Sequence, residues 1–293
     1  MLRVVAVGRF DGVHLGHQHL LSFAQKLALE RGWSLLAYTF PPEPPALLPL
    51  SAKVRLLQRF AHEVEVVAWG KVRDLSPEEF LQKEVVGRLA GRALVMGEDH
   101  RFGRERAGDP ELAQKLGKEL GLEVYVVPPF QVKGEVVSAS KIRALLGLGE
   151  VERAWEFLGR PPSLFGRGIK GVGLARTLGF PTINLEIDPL LVRPRDGVYV
   201  AWAFWPGGNA PALFYQGKRP TFQNLPPSAE VHLLSAPPPA LPEVLEVHLL
   251  RFLRADMRFP SAEALAQRIK EDLKEAQEAL AGLSPPDPIA PWL

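Results

Sequence analysis

Cysteine is absent from all 293 residues of the sequence. This absence excludes disulfide bonds, thiolate metal sites and a cysteine nucleophile, and it fits a reducing compartment. Long apolar runs are absent as well: none approaches the roughly 18 residues that a membrane-spanning helix needs, and the run Val4 to Val7 is too short for a signal peptide. We therefore expect a soluble, cytoplasmic protein with no membrane partner.

A large charge excess of either sign is also missing. The sequence contains 35 Lys and Arg residues and 33 Asp and Glu residues, and the formal net charge is +2. Nucleic acids are bound by a concentrated basic surface, so this balance predicts no nucleic-acid partner. The short basic stretch 101–106 is interrupted by Glu105 and is typical of a solvated loop. The composition, 46% hydrophobic and 23% charged, is that of an ordinary globular protein, and it leaves the oligomeric state open.

The pattern of apolar residues changes near the middle of the sequence. Over residues 1–127, short apolar runs alternate with segments of helical periodicity, which predicts a parallel sheet covered by helices. After Arg160-Pro161-Pro162 the pattern becomes short strands separated by turn residues, which predicts a small antiparallel β-barrel, followed by one long helix over residues 262–280. We therefore predict an α/β protein with two domains, residues 1–160 and residues 161–293.

Two histidines, His14 and His17, lie in the loop GRFDGVHLGH directly after the first predicted strand. Zinc needs three or four ligands, so two histidines without cysteine make an incomplete metal site. Two other interpretations stay open: the histidines cap the following helix, or they bind phosphate. The glycines of the loop favour phosphate because they let the backbone approach an anion closely, and the helix that follows offers unpaired N–H groups. The lysine of a P-loop is missing, which excludes that motif.

The segment LGFPTINL, residues 178–185, is the most distinctive pattern of the second half. Thr182 and Asn184 are two residues apart, so on an extended strand they face the same side. A hydroxyl and an amide oxygen in that arrangement suit Mg²⁺ between nucleotide phosphates, and an ordinary Thr/Asn turn is the alternative. Upstream, GRGIKGVGLAR supplies a glycine-rich loop with two cationic side chains, those of Lys170 and Arg176.

Several segments together resemble a known enzyme family. GRFDGVHLGH is similar to the G-x-F-D-G-x-H-x-G-H signature of the HxGH nucleotidyltransferase superfamily. GEDHRFGRERAGD and SASKIR resemble two further segments of its bacterial bifunctional riboflavin kinase/FAD synthetase members. In the second half, GRGIKGVGLARTLGFPTINL and the EVHLL that begins at Glu230 are similar to the riboflavin kinase pattern. The resemblance covers about residues 3–280.

The resemblance implies a Rossmann-like nucleotidyltransferase domain followed by a riboflavin kinase-like barrel. It implies that the barrel uses Mg²⁺ and ATP to phosphorylate riboflavin to FMN. It implies further that the N-terminal domain joins FMN to AMP from a second ATP, which gives FAD and pyrophosphate. The implied partners are therefore small flavins and ATP.

The resemblance also implies roles for individual residues. In the N-terminal half, His14, His17 and Arg143 are expected to act on the leaving pyrophosphate. The residues expected at ATP and its phosphates there are Gly8, Phe10, Asp11, Gly16, Ser138 and Ser140, and those expected at flavin or nucleotide are Asp99, Phe102, Gly103 and Arg106. In the barrel, Glu230 is expected to be the general base; the expected metal ligands are Thr182 and Asn184, and the expected ATP-binding residues are Lys170, Gly171 and Arg176.

The sequence departs from the family pattern in places, and alternatives to the full bifunctional activity remain. His100 stands where an aromatic is usual, Ala175 replaces a glycine, Val172 replaces an aspartate, and the 235–244 loop is rich in proline rather than acidic. One alternative is an adenylyltransferase of the same fold whose barrel is a flavin-binding regulator. Others are a flavin-binding module without catalysis and a metal-dependent hydrolase.

Overall fold

The computed structural model of the protein describes residues 2–170, 179–218, 228–235, 238 and 240–289. The chain divides into two compact units: the first comprises Met1–Glu43 and Leu50–Ala139, and the second comprises Pro44–Pro49 and Ser140–Leu293. Within the described residues, the structure contains no helix with the length and apolar character that a bilayer crossing requires.

The first unit is built on a five-stranded parallel sheet with the order β3-β2-β1-β4-β5. Its strands are β1 (Arg3–Val7), β2 (Ser34–Thr39), β3 (Glu63–Val66), β4 (Gly91–Gly97) and β5 (Glu123–Val127). Its helices are α1 (Leu15–Arg31), α2 (Leu50–Leu57), α3 (Pro77–Glu79, continued as a π-helix over Phe80–Arg88) and α4 (Pro110–Leu120). A small hairpin, β6 (Gln131–Val132) and β7 (Glu135–Val136), follows the last strand.

The strand order of this sheet reverses between β1 and β4. From β1 the chain adds β2 and β3 on one side, then returns to place β4 on the other side of β1. Every residue of β2 is buried, and so are the residues of β1 from Val4 onward, as expected for parallel strands with helices on both faces. In such sheets the crevice for ligands opens at the carboxyl ends of the strands, where the order reverses. The loops after β1 and β4 meet that crevice.

Side-chain caps mark the starts of two helices in the first unit. Ser76 forms a capping box with Glu79 at the start of α3, and Asp109 accepts the N–H of Leu112 at the start of α4. The helix that begins at Pro77 ends at Arg88, and its last nine residues are a π-helix. Ala90 has a positive φ of 51°, a conformation that cannot continue a helix.

In the described part of the second unit, two short helices precede a closed six-stranded barrel. The helices are α5 (Ala139–Leu148) and α6 (Val151–Leu158). The barrel strands are β8 (Ser163–Ile169), β9 (Ile183–Ile187), β10 (Gly197–Trp205), β11 (Gly208–Gly217), β12 (Ser228–Leu233) and β13 (Leu245–Ala255). They pair antiparallel in the order β10-β11-β12-β9-β8-β13. The long helix α7 (Ala262–Leu280) follows the last barrel strand.

Helix α7 packs on the outer face of the barrel. Its Ala276 and Leu280 contact a row of β10 side chains that includes Val200 and Trp202. A buried ion pair adds to this contact, since the Arg254 guanidinium of β13 donates to both carboxylate oxygens of Asp272, with its Nη2 at 2.7 Å. The parallel sheet, the antiparallel barrel and the terminal helix confirm the predicted fold class.

Candidate active sites

The loop that follows β1 adopts an uncommon backbone path. Phe10 and Val13 have left-handed φ angles of 49° and 41°, and Gly12 between them has a φ of 75°. Positive φ in a β-branched residue such as Val13 is rare and costs free energy. Both Phe10 and Val13 are buried, with 1% of their surface exposed, so packing stabilises the strained path. The loop ends at His14, the N-cap residue of α1.

The two histidines of this loop form a stacked pair. Their ring centroids lie 3.6 Å apart with an interplanar angle of 16°, and the His14 ring is nearly buried, with 5% exposed. The Nδ1 atom of His14 accepts the backbone N–H of His17 at 3.3 Å. Because that nitrogen is an acceptor, neutral His14 carries its proton on Nε2 and is a donor there. The capping interpretation is therefore correct for His14.

Gly16 is needed where the helix begins. A Cβ at this position would lie 3.2 Å from the His14 ring and 3.6 Å from the Val137 carbonyl oxygen. The close approach also brings Ser138, the next residue along the chain, to the start of α1. Ser140 and Arg143 lie on α5 in the second unit, and their assignment to the pyrophosphate stays a prediction.

The loop after β4 contains the four residues expected at flavin or nucleotide. Phe102 is buried and pairs through its backbone with Gly108. Gly103 has a φ of 72°, and a Cβ there would lie 2.8 Å from the Pro77 nitrogen, so only glycine fits. A Cβ on Gly97 would lie 3.1 Å from Oδ1 of Asp99, and Arg106 is exposed. Because β4 pairs with β1 in parallel, this loop begins beside the loop that contains His14 and His17.

A buried lysine, Lys53 of α2, lies at the same edge of the sheet. It is 1% exposed, and its Nζ donates to Arg9 O at 3.1 Å, to Thr39 Oγ1 at 3.3 Å and to Phe40 O. Burial lowers the pKa of Lys53 to about 8, and the negative charge of Asp11 opposes that shift. A cation thus lies directly under the start of the histidine loop.

The barrel brings three of the predicted kinase residues together, namely Thr182, Asn184 and Glu230, on or directly before two adjacent strands. Along β12 the residues alternate between half-buried and buried, and Ser228 and Glu230 share the half-buried face. Asn184 of β9 pairs with Glu230 in register, which places their side chains side by side. The Thr182 hydroxyl donates to Glu230 Oε2 at 2.9 Å, and the Ser228 hydroxyl donates to Oε1 at 3.0 Å. Both oxygens of the carboxylate are therefore held by hydroxyl groups.

The neighbouring residues support this cluster. The His232 ring Nδ1 lies 2.8 Å from the Pro181 carbonyl oxygen, which fixes the turn before Thr182. Lys170 directly follows Ile169, the β8 residue that pairs with Asn184. Gly171 and Arg176 lie outside the described residues, and so do Val172 and Ala175.

The oxygen atoms of this cluster fit a hard divalent cation. The Thr182 hydroxyl, the Asn184 amide and the Glu230 carboxylate are all oxygen ligands. Mg²⁺ is commonly bound by few protein oxygens, together with water and substrate phosphates. The residues present therefore fit Mg²⁺ bound with ATP.

Comparison with known proteins decides the family. A family model described as FAD synthetase matches residues 2–141, and one described as riboflavin kinase matches residues 158–280. A protein named bifunctional riboflavin kinase/FMN adenylyltransferase from Pseudomonas fluorescens is 33% identical over 290 residues, which cover 95% of this chain and 93% of that protein. The protein of the same name from Escherichia coli K12 is 30% identical, with 97% and 94% covered. This chain belongs to the bifunctional riboflavin kinase/FMN adenylyltransferase family. The predicted family is confirmed.

A solved structure is similar as well. The crystal structure described as "Macrolide-efflux Protein from Streptococcus pneumoniae" has a TM-score of 0.84 and 26% sequence identity. The match covers 96% of this chain and 94% of that chain. This chain therefore shares its fold with that structure over nearly its whole length.

Two polar residues at these sites were not among the residues predicted from the sequence. Ser228 lies two residues before Glu230, and the period of two along a strand would have placed them on one face. Lys53 lies among Ala52, Leu56 and Leu57, all buried, and helical spacing would have placed it on the apolar face of α2. In both cases the sequence places a polar residue on a face where it could contact the site, and this pattern could have identified the residue.

Proposed function

We propose that this chain makes FAD from riboflavin in two steps, each in its own part of the fold. The barrel transfers the γ-phosphoryl group of ATP to riboflavin and releases FMN and ADP. The N-terminal part joins FMN to the AMP portion of a second ATP and releases pyrophosphate. The observation that carries the proposal is that one chain matches both family models, in separate segments. We propose that the boundary between the two domains lies at residue 160. We propose further that the protein is located in the cytoplasm.

In the kinase step, Glu230 is the proposed general base. Its carboxylate takes the proton of the riboflavin 5′-hydroxyl as that oxygen attacks the γ-phosphorus. The Thr182 and Ser228 hydroxyls hold the two carboxylate oxygens in one orientation, so little rearrangement is needed. Thr182 and Asn184 are the proposed ligands of Mg²⁺, which supplies charge neutralisation on the phosphates. Lys170, Gly171 and Arg176 are proposed to bind ATP.

In the adenylylation step, the FMN phosphate attacks the α-phosphorus of ATP, and no protein nucleophile is required. Catalysis is then the positioning of the reactants and the stabilisation of charge on the departing pyrophosphate. The Nε2–H of His14 is aimed by the hydrogen bond at its Nδ1, and His17 lies stacked on it. These histidines are proposed to bind the pyrophosphate, and the family resemblance implies the same role for Arg143 and Ser140.

The remaining residues of the N-terminal part are proposed to bind the substrates. Backbone groups of the loop after β1 and the start of α1 contact the ATP phosphates in this proposal, through Gly8, Phe10, Asp11, Gly16 and Ser138. The loop after β4 contacts flavin or nucleotide through Asp99, Phe102, Gly103 and Arg106. The two loops leave neighbouring strands, β1 and β4, which supports this proposal.

The test is chromatography of the products formed from riboflavin, ATP and Mg²⁺, and separately from FMN, ATP and Mg²⁺. Glu230→Gln is expected to abolish FMN formation and to leave FAD formation from added FMN intact. His17→Ala is expected to accumulate FMN without FAD. Matched controls are Glu186→Gln, an exposed glutamate on β9, and His19→Ala, an exposed histidine on α1; both should behave as wild type. FMN formation that survives Glu230→Gln would refute the kinase assignment.

A further inference from the structure

The lysine of α2 occupies a position that apolar residues normally fill. The buried face of this helix consists of Ala52, Lys53, Leu56 and Leu57. A lysine is almost never fully buried unless its charge is compensated. Within the described residues Lys53 forms no ion pair, and its three hydrogen-bond acceptors are all uncharged oxygen atoms.

These acceptors come from the two loops that begin at the carboxyl ends of β1 and β2. Arg9 O belongs to the loop after β1, and Phe40 O to the chain after β2. The Thr39 hydroxyl accepts from Lys53 and donates to Arg9 O at 3.0 Å. The ammonium group and this hydroxyl therefore form one network that fixes the two loop starts against each other, one residue before Phe10.

The charge of Lys53 is available to an anion bound above it. Two charged groups of the histidine loop act on it: Asp11, whose carboxylate favours the ammonium form, and Arg9, which disfavours it. The effect of burial on the pKa is larger than the effect of either charge, and it lowers the pKa of Lys53 to about 8. Because the surroundings are apolar, the field of the ammonium group is weakly screened.

We propose that Lys53 is a positioning residue for adenylyl transfer, which holds the loops after β1 and β2 together and places a positive charge beneath the polyphosphate at the histidine loop. The proposal rests on the adenylylation step proposed above. Only the ammonium form supplies both the charge and the full set of hydrogen bonds, since a neutral amine has one donor fewer. The kcat/KM for FAD formation from FMN is therefore expected to fall as the pH rises through about 8.

The test compares the two activities of the same chain. In Lys53→Met, FAD formation from FMN is expected to fall on the order of a hundredfold, since a small displacement of reacting groups has effects of that size. FMN formation from riboflavin should stay at the wild-type rate, which shows that the barrel is folded. Lys83→Met, which removes an exposed lysine paired with Glu79 at 2.8 Å, is the matched control and should leave both activities unchanged.

The pH profile separates a role of the charge from a merely structural one. Wild type should lose kcat/KM for FAD formation above about pH 8, and Lys53→Met should lack that decline. A second variant, Thr39→Val, removes one acceptor, so the ammonium form is less stable and the decline should move to lower pH. FAD formation by Lys53→Met at the wild-type rate would overturn the proposal, and so would identical pH profiles in all three proteins. Absence of FAD formation by wild type would refute the adenylylation step itself.

Discussion

The hydroxyl of Ser228 offers the sharpest test of the kinase site. It donates to Glu230 Oε1 at 3.0 Å, while Thr182 donates to the other oxygen. Ser228→Ala removes one of these two bonds and leaves the proposed metal ligands in place. The Glu230 carboxylate is then held by the Thr182 hydrogen bond alone and has more orientational freedom. It therefore spends less time in the orientation that accepts the proton of the riboflavin hydroxyl.

The size of the effect follows from the kind of bond lost. A hydrogen bond to a charged group contributes about 1.5–3 kcal/mol, and the lower end applies because both side chains are half-buried. Each 1.36 kcal/mol changes a rate about tenfold, so Ser228→Ala should lower kcat for FMN formation about tenfold. The lost hydrogen bond orients the general base for proton transfer and does not contribute to substrate binding. We therefore expect kcat and kcat/KM to fall together.

The assay measures FMN formed from riboflavin and, separately, FAD formed from added FMN. FAD formation should be unchanged. Ser228→Thr keeps the hydroxyl on a residue that strands favour, so it should restore most of the lost rate. If Ser228→Thr were as slow as Ser228→Ala, or if Ser228→Ala were as fast as wild type, the positioning of Glu230 by this hydroxyl would be refuted.

Three further predictions concern other parts of the chain. Gly16→Ala places a methyl group 3.2 Å from the His14 ring and should slow FAD formation about tenfold or more by displacing that ring, while FMN formation measured in the same preparation is unchanged. Asp272→Ala leaves the Arg254 guanidinium, 14% exposed in the native chain, without its carboxylate, and should lower the free energy of unfolding by about 3 kcal/mol in urea titrations; an unchanged midpoint would contradict this. Burial lowers the pKa of His100 from 6.5 to about 4, so the unfolded chain takes up a proton before the folded chain does and stability falls as the pH drops from 6.5 to 4. His100→Phe should lose less stability than wild type between pH 7 and pH 5.

Much of the fold could be predicted because local and long-range signals agree. The strand and helix alternation of the first half, the capping box at Ser76 and the helix 262–280 each have a clear pattern in sequence, and the structure contains all of them. The first two barrel strands, β8 and β9, are less evident in the sequence. The run Ser163–Ile169 contains two glycines, which strands normally disfavour. A Cβ on Gly166 would lie 2.3 Å from the Glu186 carbonyl oxygen, so close packing of the neighbouring strand explains that glycine.

The candidate sites were predictable where a motif is contiguous and less so where the chain brings distant residues together. His14 and His17 lie in one short loop, and Thr182 and Asn184 lie in one short segment. Lys53 contacts the start of the histidine loop at Arg9, and the parallel pairing of β1 with β2 brings these distant parts of the sequence together. The tautomer of His14 depends on the geometry of a helix cap, which a sequence pattern does not contain.

The central position of β1 and β4 has a consequence for the engineering of this enzyme. The strands β3 and β5 are the two edges of the five-stranded sheet, where β3 pairs with β2 and β5 pairs with β4. The crevice opens between β1 and β4, so neither edge strand borders it directly. Substitutions that stabilise or resurface these edges leave the backbone of the two central loops in place. Libraries aimed at heat tolerance or solubility therefore belong on β3, β5 and the exposed side of α4, whereas libraries aimed at the choice of nucleotide or flavin belong on the loops that leave β1 and β4.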